Sequence, residues 1–262
     1  MKKDNLCDKK TALITGATSG IGAEFAKQLS AMGFSLILTG RNREKLLRLS
    51  KKYPGSVTVE ADLRKKEDCF RLIEEGKRFS ADILINCAGM GVFGKFSETD
   101  IKKETDMIDL NVRACHILFK GFLELFESRG KGYILNVGSV AGFLPGPLMS
   151  GYYASKSYVL RQTEAVYLEL LYNKSPVKVS VLCPGPVQTD FNRNAGITGS
   201  FKGITAEECV RHTIEGMKKG RLLIIPALYT KAVALGSKLL PAAVSGSVCY
   251  IAQKGKKRIT DI

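Results

Sequence analysis

One turn restricts this chain more than any other feature. The run TALIT (Thr11–Thr15) is short, apolar and β-branched, and it leads straight into TGATSGIG (Thr15–Gly22). In the segment IGAEFAKQLSAMG that follows, Ile21, Phe25, Ala26 and Leu29 recur at helical spacing until Gly33 offers a stop. A strand, a glycine turn and an amphipathic helix in that order make the first half of a strand–helix–strand unit, and few folds contain one.

The alternation continues along the chain. Strands are predicted at Ser35–Thr39, Ser56–Glu60, Asp82–Asn86, GYILNVGS, VKVSVLCPG and RLLIIP. Helices are predicted over Arg43–Lys52, Arg64–Phe79, two within Ser97–Arg129, then Gly151–Tyr172 and Ala206–Lys218. Near-continuous apolar strands separated by helices imply a parallel sheet covered on both faces. Right-handed crossovers make it doubly wound. The expected fold is α/β, a Rossmann-type doubly wound parallel sheet of about seven strands with helices on both faces. No repeat or long linker divides it, so residues 1–262 form a single domain, with a segment from about residue 190 left for substrate cover or oligomer contacts.

Charge narrows the partners. Lys and Arg exceed Asp and Glu by enough to give a formal net charge of +15. Such a surface favours anions: phosphorylated cofactors, acidic carriers or anionic membranes, with plain solubility charge as the alternative. No zinc-finger or RNP signature accompanies the charge, so nucleic acid is not an expected partner. The seven cysteines (7, 69, 87, 115, 183, 209 and 249) include no CxxC pair, which reads as reduced thiols in a cytoplasmic protein. His116 and His212 lack partners at metal-ligand spacing, and no metal site is expected. The basic start MKKDNLCDKK is not followed by an apolar h-region, and no run of about 18 apolar residues occurs, so neither a signal peptide nor a spanning helix is expected.

The glycine turn suits a dinucleotide. Glycines between a strand and a helix let backbone approach a pyrophosphate at the helix N-terminus, and Gly16, Thr18, Ser19, Gly20, Ile21 and Gly22 supply that approach here. Beyond the second strand, TGRNR offers Arg41 and Arg43 where an acid would bind the 2′-hydroxyl of NAD. A planar, multi-donor guanidinium suits a phosphate, so the expected cofactor is NADP(H) rather than NAD(H), with Arg41 as its contact. The alternative is that both arginines are surface charges at a helix start.

The remaining motifs carry a resemblance. NCAG (Asn86–Gly89), Asn111 in DLNV, Ser139 in VGSV, Tyr152–Lys156 as YxxxK and PGPVQT (Pro184–Thr189) follow the glycine turn in order. The chain is thereby similar to the short-chain dehydrogenase/reductase family. The family pattern selects Tyr152, four residues before Lys156 and thirteen after Ser139; Tyr153 meets neither spacing and either packs on the sheet or faces substrate. The resemblance also implies an adenine contact at Asp62 and Leu63, an adenosine wall from Asn86, Ala88 and Gly89, and nicotinamide contacts at Pro184, Gly185, Val187 and Thr189. Tyr152 and Lys156 would touch the cofactor too, and Asn111 would relay protons through water to Lys156. The implied assembly is a homo-oligomer, dimer or tetramer.

The chemistry implied is interconversion of a carbonyl and an alcohol on a small molecule. A phenol with a pKa near 10 relays protons poorly at neutral pH. A neighbouring ammonium stabilises the phenolate, and an oxidised nicotinamide would add positive charge; a drop of roughly three pKa units corresponds to about 4 kcal/mol. Tyr152 is then acid for reduction and base for oxidation, with Ser139 holding the carbonyl oxygen. Two other readings stand beside this one: a catalytically silent NADP(H)-binding sensor of the same fold, and a sugar-nucleotide epimerase, which shares YxxxK but fits poorly in its glycine spacing.

The substrate end is less legible. FNRNAGITGSFKG (Phe191–Gly203) reads equally as a mobile lid or a plain surface loop. The segment from PALYT onward is mostly apolar, broken by Pro241, ends in KGKKR, and after residue 220 holds Asp261 as its only acid. It covers the pocket and packs on another subunit, or lies on an anionic membrane surface, or is simply core. An apolar cover on a basic body suits a hydrophobic substrate with an anionic group, such as a 3-oxoacyl thioester.

Overall fold

The structure, a computed structural model, describes residues 10–198 and 203–258. The basic start with Cys7, residues 199–202 of the glycine-rich segment and Asp261 lie outside the described residues.

Seven parallel strands form the central sheet: β1 (Thr11–Ile14), β2 (Ser35–Gly40), β3 (Val57–Glu60), β4 (Ile83–Asn86), β5 (Tyr133–Val137), β6 (Lys178–Leu182) and β10 (Leu223–Ile224). Their spatial order is β10-β6-β5-β4-β1-β2-β3, the doubly wound arrangement expected from the sequence. The pleat explains why these strands read as continuous apolar runs. Ala12, Ile14, Leu36, Leu38, Ile83, Ile85 and Leu135 enter one core. The residues between them, Leu13, Ile37, Leu84 and Ile134, enter the other. The residues of β4 and β5 are all buried, against one helix layer or the other.

The first core is closed by α1 (Gly20–Ala31) through Phe25 and Leu29, and by α8 (Ala206–Lys218) through Val210 and Ile214. The helix α8 starts with a capping box, Thr205 and Glu208 each satisfying the other's backbone N–H. The second core is closed by α3 (Lys66–Arg78) through Leu72, and by α5 (Cys115–Ser128) through Phe119, Phe122 and Phe126. The short helix α2 (Arg43–Lys52) is capped by Asn42, whose side chain accepts from the Lys45 N–H at 2.8 Å.

Helix α4 (Ile101–Ile108) joins α5 through a π-helical turn at Asp109–Ala114, and α6 (Ser150–Tyr172) runs beside them. Between β5 and α6 a 3₁₀ turn spans Val140–Phe143. The order of strands reverses at β1, which pairs with both β2 and β4, and the loops at that switch point define the cleft.

The segment after β6 is folded. It forms β7 (Val187–Gln188), the short helix α7 (Phe191–Asn194), β8 (Ile197–Thr198) and β9 (Ile204–Thr205). β7 pairs with β9, and β8 pairs antiparallel with β11 (Lys257–Arg258), so the ends of the last segment are tied together. Helices α9 (Leu228–Leu239) and α10 (Ala242–Lys254) meet at Pro241. The reading of this last segment as plain core is overturned: Leu228 is 80% exposed and Ile251 is 73% exposed. Among the described residues, no helix is long and apolar enough to cross a membrane.

Candidate active site

The glycine turn lies over the end of β1. Gly16 takes a φ of 67°, and a Cβ there would stand 3.0 Å from Ala88 Cα, so the turn and the NCAG loop approach backbone to backbone. A side chain at Gly22 would collide with the Gly16 carbonyl oxygen. Thr15 locks the two loops, its hydroxyl accepting from the N–H groups of Cys87 at 2.8 Å and Ala88 at 2.9 Å. Ser19 occupies the N-cap of α1 without spending its side chain on a cap, and no acid occupies the first turn. The opening N–H groups of α1 are thus available to an anion.

Two recesses meet at this helix end and share Ser19, Asp190 and Asn194. The outer one, about 900 Å³, is polar, and Thr18, Arg41, Lys45 and Asp62 line it. The inner one, about 260 Å³, runs from Gly16, Gly20 and Ile21 past Ala88 and Gly89 to Ser139, Tyr152 and Lys156, bounded by Pro184, Gly185, Val187 and Thr189. Together they have the scale of a ligand cleft, about 300–1,000 Å³ or more. The backbone cradle, the open helix end and the paired recesses fit a dinucleotide.

In the outer recess most acids are already paired. Asp62 binds Arg64 at 2.6 Å, which holds its carboxyl below the usual range, chiefly through that hydrogen bond. Asp68 binds Arg71 at 2.8 Å and Asp190 binds Arg193 at 3.0 Å, while Glu60 is exposed. Among the described residues, Arg41 and Lys45 enter no ion pair and face the recess as cations. Of the two arginines in TGRNR, Arg41 lines the recess and Arg43, the first residue of α2, does not.

At the inner end, Ser139 follows β5 and caps the 3₁₀ turn, accepting from the Ala141 N–H at 3.1 Å. Tyr152 and Lys156 sit one turn apart on α6, with the Lys156 ammonium 5.9 Å from the Tyr152 ring centre. The Lys156 ammonium donates to the Val137 carbonyl at 2.8 Å and is buried. Asn111 lies behind this group in the π turn: its Nδ2 donates to the Met90 carbonyl at 2.8 Å and to Ser155 Oγ at 3.0 Å, and its Oδ1 accepts from the Met90 N–H at 2.9 Å. A side chain at Gly89 would meet Asn111 Oδ1 at 3.3 Å and Lys156 Nζ at 3.4 Å, so a glycine is what lets these groups approach.

The protein's own groups do not by themselves make the phenol acidic. Enclosure pushes Tyr152 up to about 12, opposed by the hydroxyl of Ser139, with Tyr153 and Cys183 adding small upward effects. Burial likewise pushes Lys156 below the ordinary ammonium value. The ammonium is turned to Val137, so without a further positive charge at the cleft, desolvation outweighs its pull on the phenol.

Four predicted contacts lie outside the cleft lining. Gly22 is inside α1, where it makes room for the turn. Leu63 is buried in the second core. The Asn86 amide points inward, donating to the Cys115 carbonyl at 3.1 Å and to Asn136 Oδ1 at 3.3 Å, in a ladder that Asn136 extends to Thr163 at 2.9 Å. Asn111, with its amide committed to Met90 and Ser155, leaves only peptide groups for a relay. Nucleotide contacts from Leu63 and Asn86 would be peptide contacts as well.

Sequence reasoning missed the far wall. The inner recess is also lined by Met149, Phe191, Asn192, Gln253 and Lys256. Tyr153 faces this recess and accepts from Gln253 Nε2 at 2.8 Å, while Gln253 Oε1 is buried without a partner. Phe191 stacks obliquely on Tyr152, ring centres 5.3 Å apart. Phe191, Asn192 and Asn194 of the Phe191–Gly203 segment are therefore part of the cleft wall. His116 is satisfied by Tyr158 and Gln162, each at 2.6 Å, and no group of three or more His, Cys, Asp or Glu gathers among the described residues.

Residues 10–197 match the sequence profile of the short chain dehydrogenase family. The chain is 32% identical over 186 residues to a 3-oxoacyl-(acyl-carrier-protein) reductase of Rickettsia prowazekii, covering 70% of this chain and 74% of that protein. It is similar to a short-chain dehydrogenase from Sphingobium yanoikuyae in complex with NADPH, at 31% identity and a TM-score of 0.79, over 88% of this chain and 93% of that one. It is also similar to the bulky-bulky ketone specific alcohol dehydrogenase from Comamonas testosteroni, at 29% identity and a TM-score of 0.74, over 88% and 93% of the two chains.

Proposed function

This chain belongs to the short-chain dehydrogenase family and is an oxidoreductase of that type; from that premise we propose that it uses NADP(H) to interconvert a hydrophobic ketone and its alcohol, with Tyr152 as acid and base. The observation that carries this reading is that Ser139, Tyr152 and Lys156 line the inner end of the same recess whose other end is the glycine turn.

The Gly16–Gly22 turn and the first N–H groups of α1 would take the pyrophosphate. Arg41, with Lys45 beside it, would take a 2′-phosphate. Asp62, Leu63, Asn86, Ala88 and Gly89 would bound the adenosine, and Pro184, Gly185, Val187 and Thr189 the nicotinamide. When bound, the cofactor supplies the hydride that reaches the carbonyl carbon. The protein's own residues handle the oxygen and the proton. Ser139 donates a hydrogen bond to the carbonyl oxygen as negative charge grows there. Tyr152 gives that oxygen its phenol proton and is left as a phenolate; in oxidation it takes the proton back. Lys156 steadies the phenolate, and a proton from solvent returns past Lys156 and the peptide groups of Asn111.

Substrate class follows from the wall and the relatives. Met149, Phe191, Tyr153 and the enclosed Tyr152 ring make an apolar bed. Lys256, buried enough for its ammonium pKa to be lowered, adds a cation at the rim. A bulky ketone with an anionic tail, such as a 3-oxoacyl thioester, suits that pair, and the names of the two relatives, an acyl-chain reductase and a bulky-ketone dehydrogenase, support it. The six described thiols are free, which supports a reducing, cytoplasmic setting. Exposed Leu168, Leu171 and Tyr172 along α6 support a homo-oligomer, dimer or tetramer.

The test follows NADPH oxidation over carbonyls graded from small and polar to bulky and acyl-linked, with Tyr152→Phe as control. Turnover of the bulky members, falling about 10²–10⁴-fold in Tyr152→Phe with NADPH binding kept, supports the reading. Tight NADPH binding without turnover of any carbonyl replaces it with the silent sensor.

A further inference from the structure

Helices α9 and α10 are built inside out. α9 buries Thr230 and Ala234 and exposes Leu228, Leu235 and Leu239; α10 buries Ser245, Cys249 and Gln253 and exposes Val244, Val248 and Ile251. In both helices the buried positions recur every four residues. The exposed apolar positions recur at steps of three, four and seven, which gathers them on the opposite side of each helix. A surface helix on a water-exposed protein carries the reverse pattern.

The orientation is held by specific bonds. Thr230 donates to the Ala227 carbonyl at 2.7 Å, and Ser245 donates to the carbonyl of Ala242 at 3.2 Å, so the inner hydroxyls are satisfied within their own helices. Gln253 donates to the Tyr153 phenol at 2.8 Å. Residues Tyr229 and Thr230 crowd the Gly185 turn, where an added Cβ would meet the Tyr229 hydroxyl at 3.0 Å. Turning α10 to hide its apolar side would withdraw Gln253 from the cleft. The apolar stripes therefore stay outward and form a patch of the kind that marks an interaction surface.

Charge decides what covers the patch. From Arg221 to Arg258 the sequence holds seven lysines and arginines and no Asp or Glu. Lys231 is exposed one turn from both Leu228 and Leu235, and Lys254 is exposed one turn from Ile251. A second copy of the chain would bring this cationic segment against itself, which like-charge repulsion disfavours. A surface that is apolar below and anionic at its boundary matches both features: aliphatic side chains enter the acyl region while lysines meet phosphates. We propose that α9 and α10 seat the protein on an anionic lipid surface, lying in its plane. The net charge of +15 adds long-range attraction to the same surface.

The test is co-sedimentation of the full chain with vesicles of phosphatidylcholine alone and of phosphatidylcholine mixed with phosphatidylglycerol. The expected result is about tenfold more protein pelleted with the anionic vesicles, reduced by high salt. The double variant Leu235→Gln/Val248→Gln alters two exposed residues that do not line the cleft. It is expected to lose about tenfold in vesicle binding while keeping its melting temperature and its NADPH binding. Absence of pelleting overturns the proposal, as does equal pelleting of both forms of the protein. An oligomer that the double variant splits, with vesicles ignored, also overturns it and assigns the patch to a second copy. None of these outcomes depends on carbonyl turnover.

Discussion

Lys156 holds its ammonium 2.8 Å from the Val137 carbonyl oxygen with only 5% of its surface exposed. Three thiols rather than carboxylates stand around it, those of Cys115, Cys87 and Cys183. Burial therefore dominates, and it lowers the lysine from its ordinary value of 10.5. The unfolded chain holds that proton more tightly than the folded one. The destabilisation is accordingly full below the lowered folded value and is relieved as pH rises through it toward 10.5.

Lys156→Met keeps the length of the stem and removes the charge. The cofactor-free variant is expected to gain about 1–2 kcal/mol of stability at neutral pH. That is a rise in melting temperature of roughly 2–4 °C per kcal/mol for a chain of this size. The gain should shrink in alkaline buffer, where the wild-type lysine is already losing its proton. Turnover should be lost throughout. Thermal melts at neutral and alkaline pH check this, and a variant that melts lower than the wild type at neutral pH sinks the argument.

The phenol beside it gives a directional pH prediction. With Tyr152 pushed up to about 12 by enclosure, the phenol is protonated at neutral pH, the form reduction needs. Reduction should then vary little through the neutral range. Oxidation needs the phenolate and should climb about tenfold per pH unit below the operative pKa. The Ser139 hydroxyl favours the charged form of Tyr152, so Ser139→Ala should move the oxidation profile to higher pH as well as slowing it. Rate profiles measured in both directions from about pH 6 to 10 check this. Parallel profiles in the two directions would remove Tyr152 from the proton path.

Much of this was legible in the sequence, for identifiable reasons. The glycine turn declared itself because Gly16 needs a positive φ and Gly22 has no room for a Cβ, requirements that leave a mark in the residue type. Strand–helix alternation read correctly because the central strands β4 and β5 are buried on both faces. The family resemblance, through its spacing to Ser139, picked Tyr152 over Tyr153 as an expectation, but Tyr153's partner Gln253 lies a hundred residues away, beyond any local pattern. The two-residue pairings of β7 with β9 and β8 with β11 are too short to carry a period. Composition revealed that α10 is apolar but not that it turns its serine, cysteine and glutamine inward. The inward amide of Asn86 and the π turn around Asn111 depend on contacts to Cys115, Asn136 and Met90 that only the folded chain supplies.

The last prediction concerns cofactor choice. In the outer recess Asp62, Asp68 and Asp190 are each tied to an arginine, so their carboxylates offer little repulsion to an incoming phosphate. Arg41 stands just beyond the end of β2 and lines the recess with Lys45, whose own N–H is already used by the Asn42 cap. The Lys45 backbone is thereby held at the helix start, and its side chain lines the recess. A 2′-phosphate there would bond the Arg41 guanidinium in a geometry no lysine reproduces. Losing a charge-assisted hydrogen bond of this kind costs about 1.5–3 kcal/mol. Arg41→Ala should therefore weaken NADPH binding roughly 10–100-fold and leave NADH binding nearly unchanged. Lys45→Ala should have a smaller effect of the same sign, and raised salt should weaken NADPH more than NADH. Fluorescence titration of both cofactors against both variants decides the matter. Equal losses for NADPH and NADH would mean that Arg41 acts through the shape of the loop, and NADP(H) preference would then have to rest on other residues.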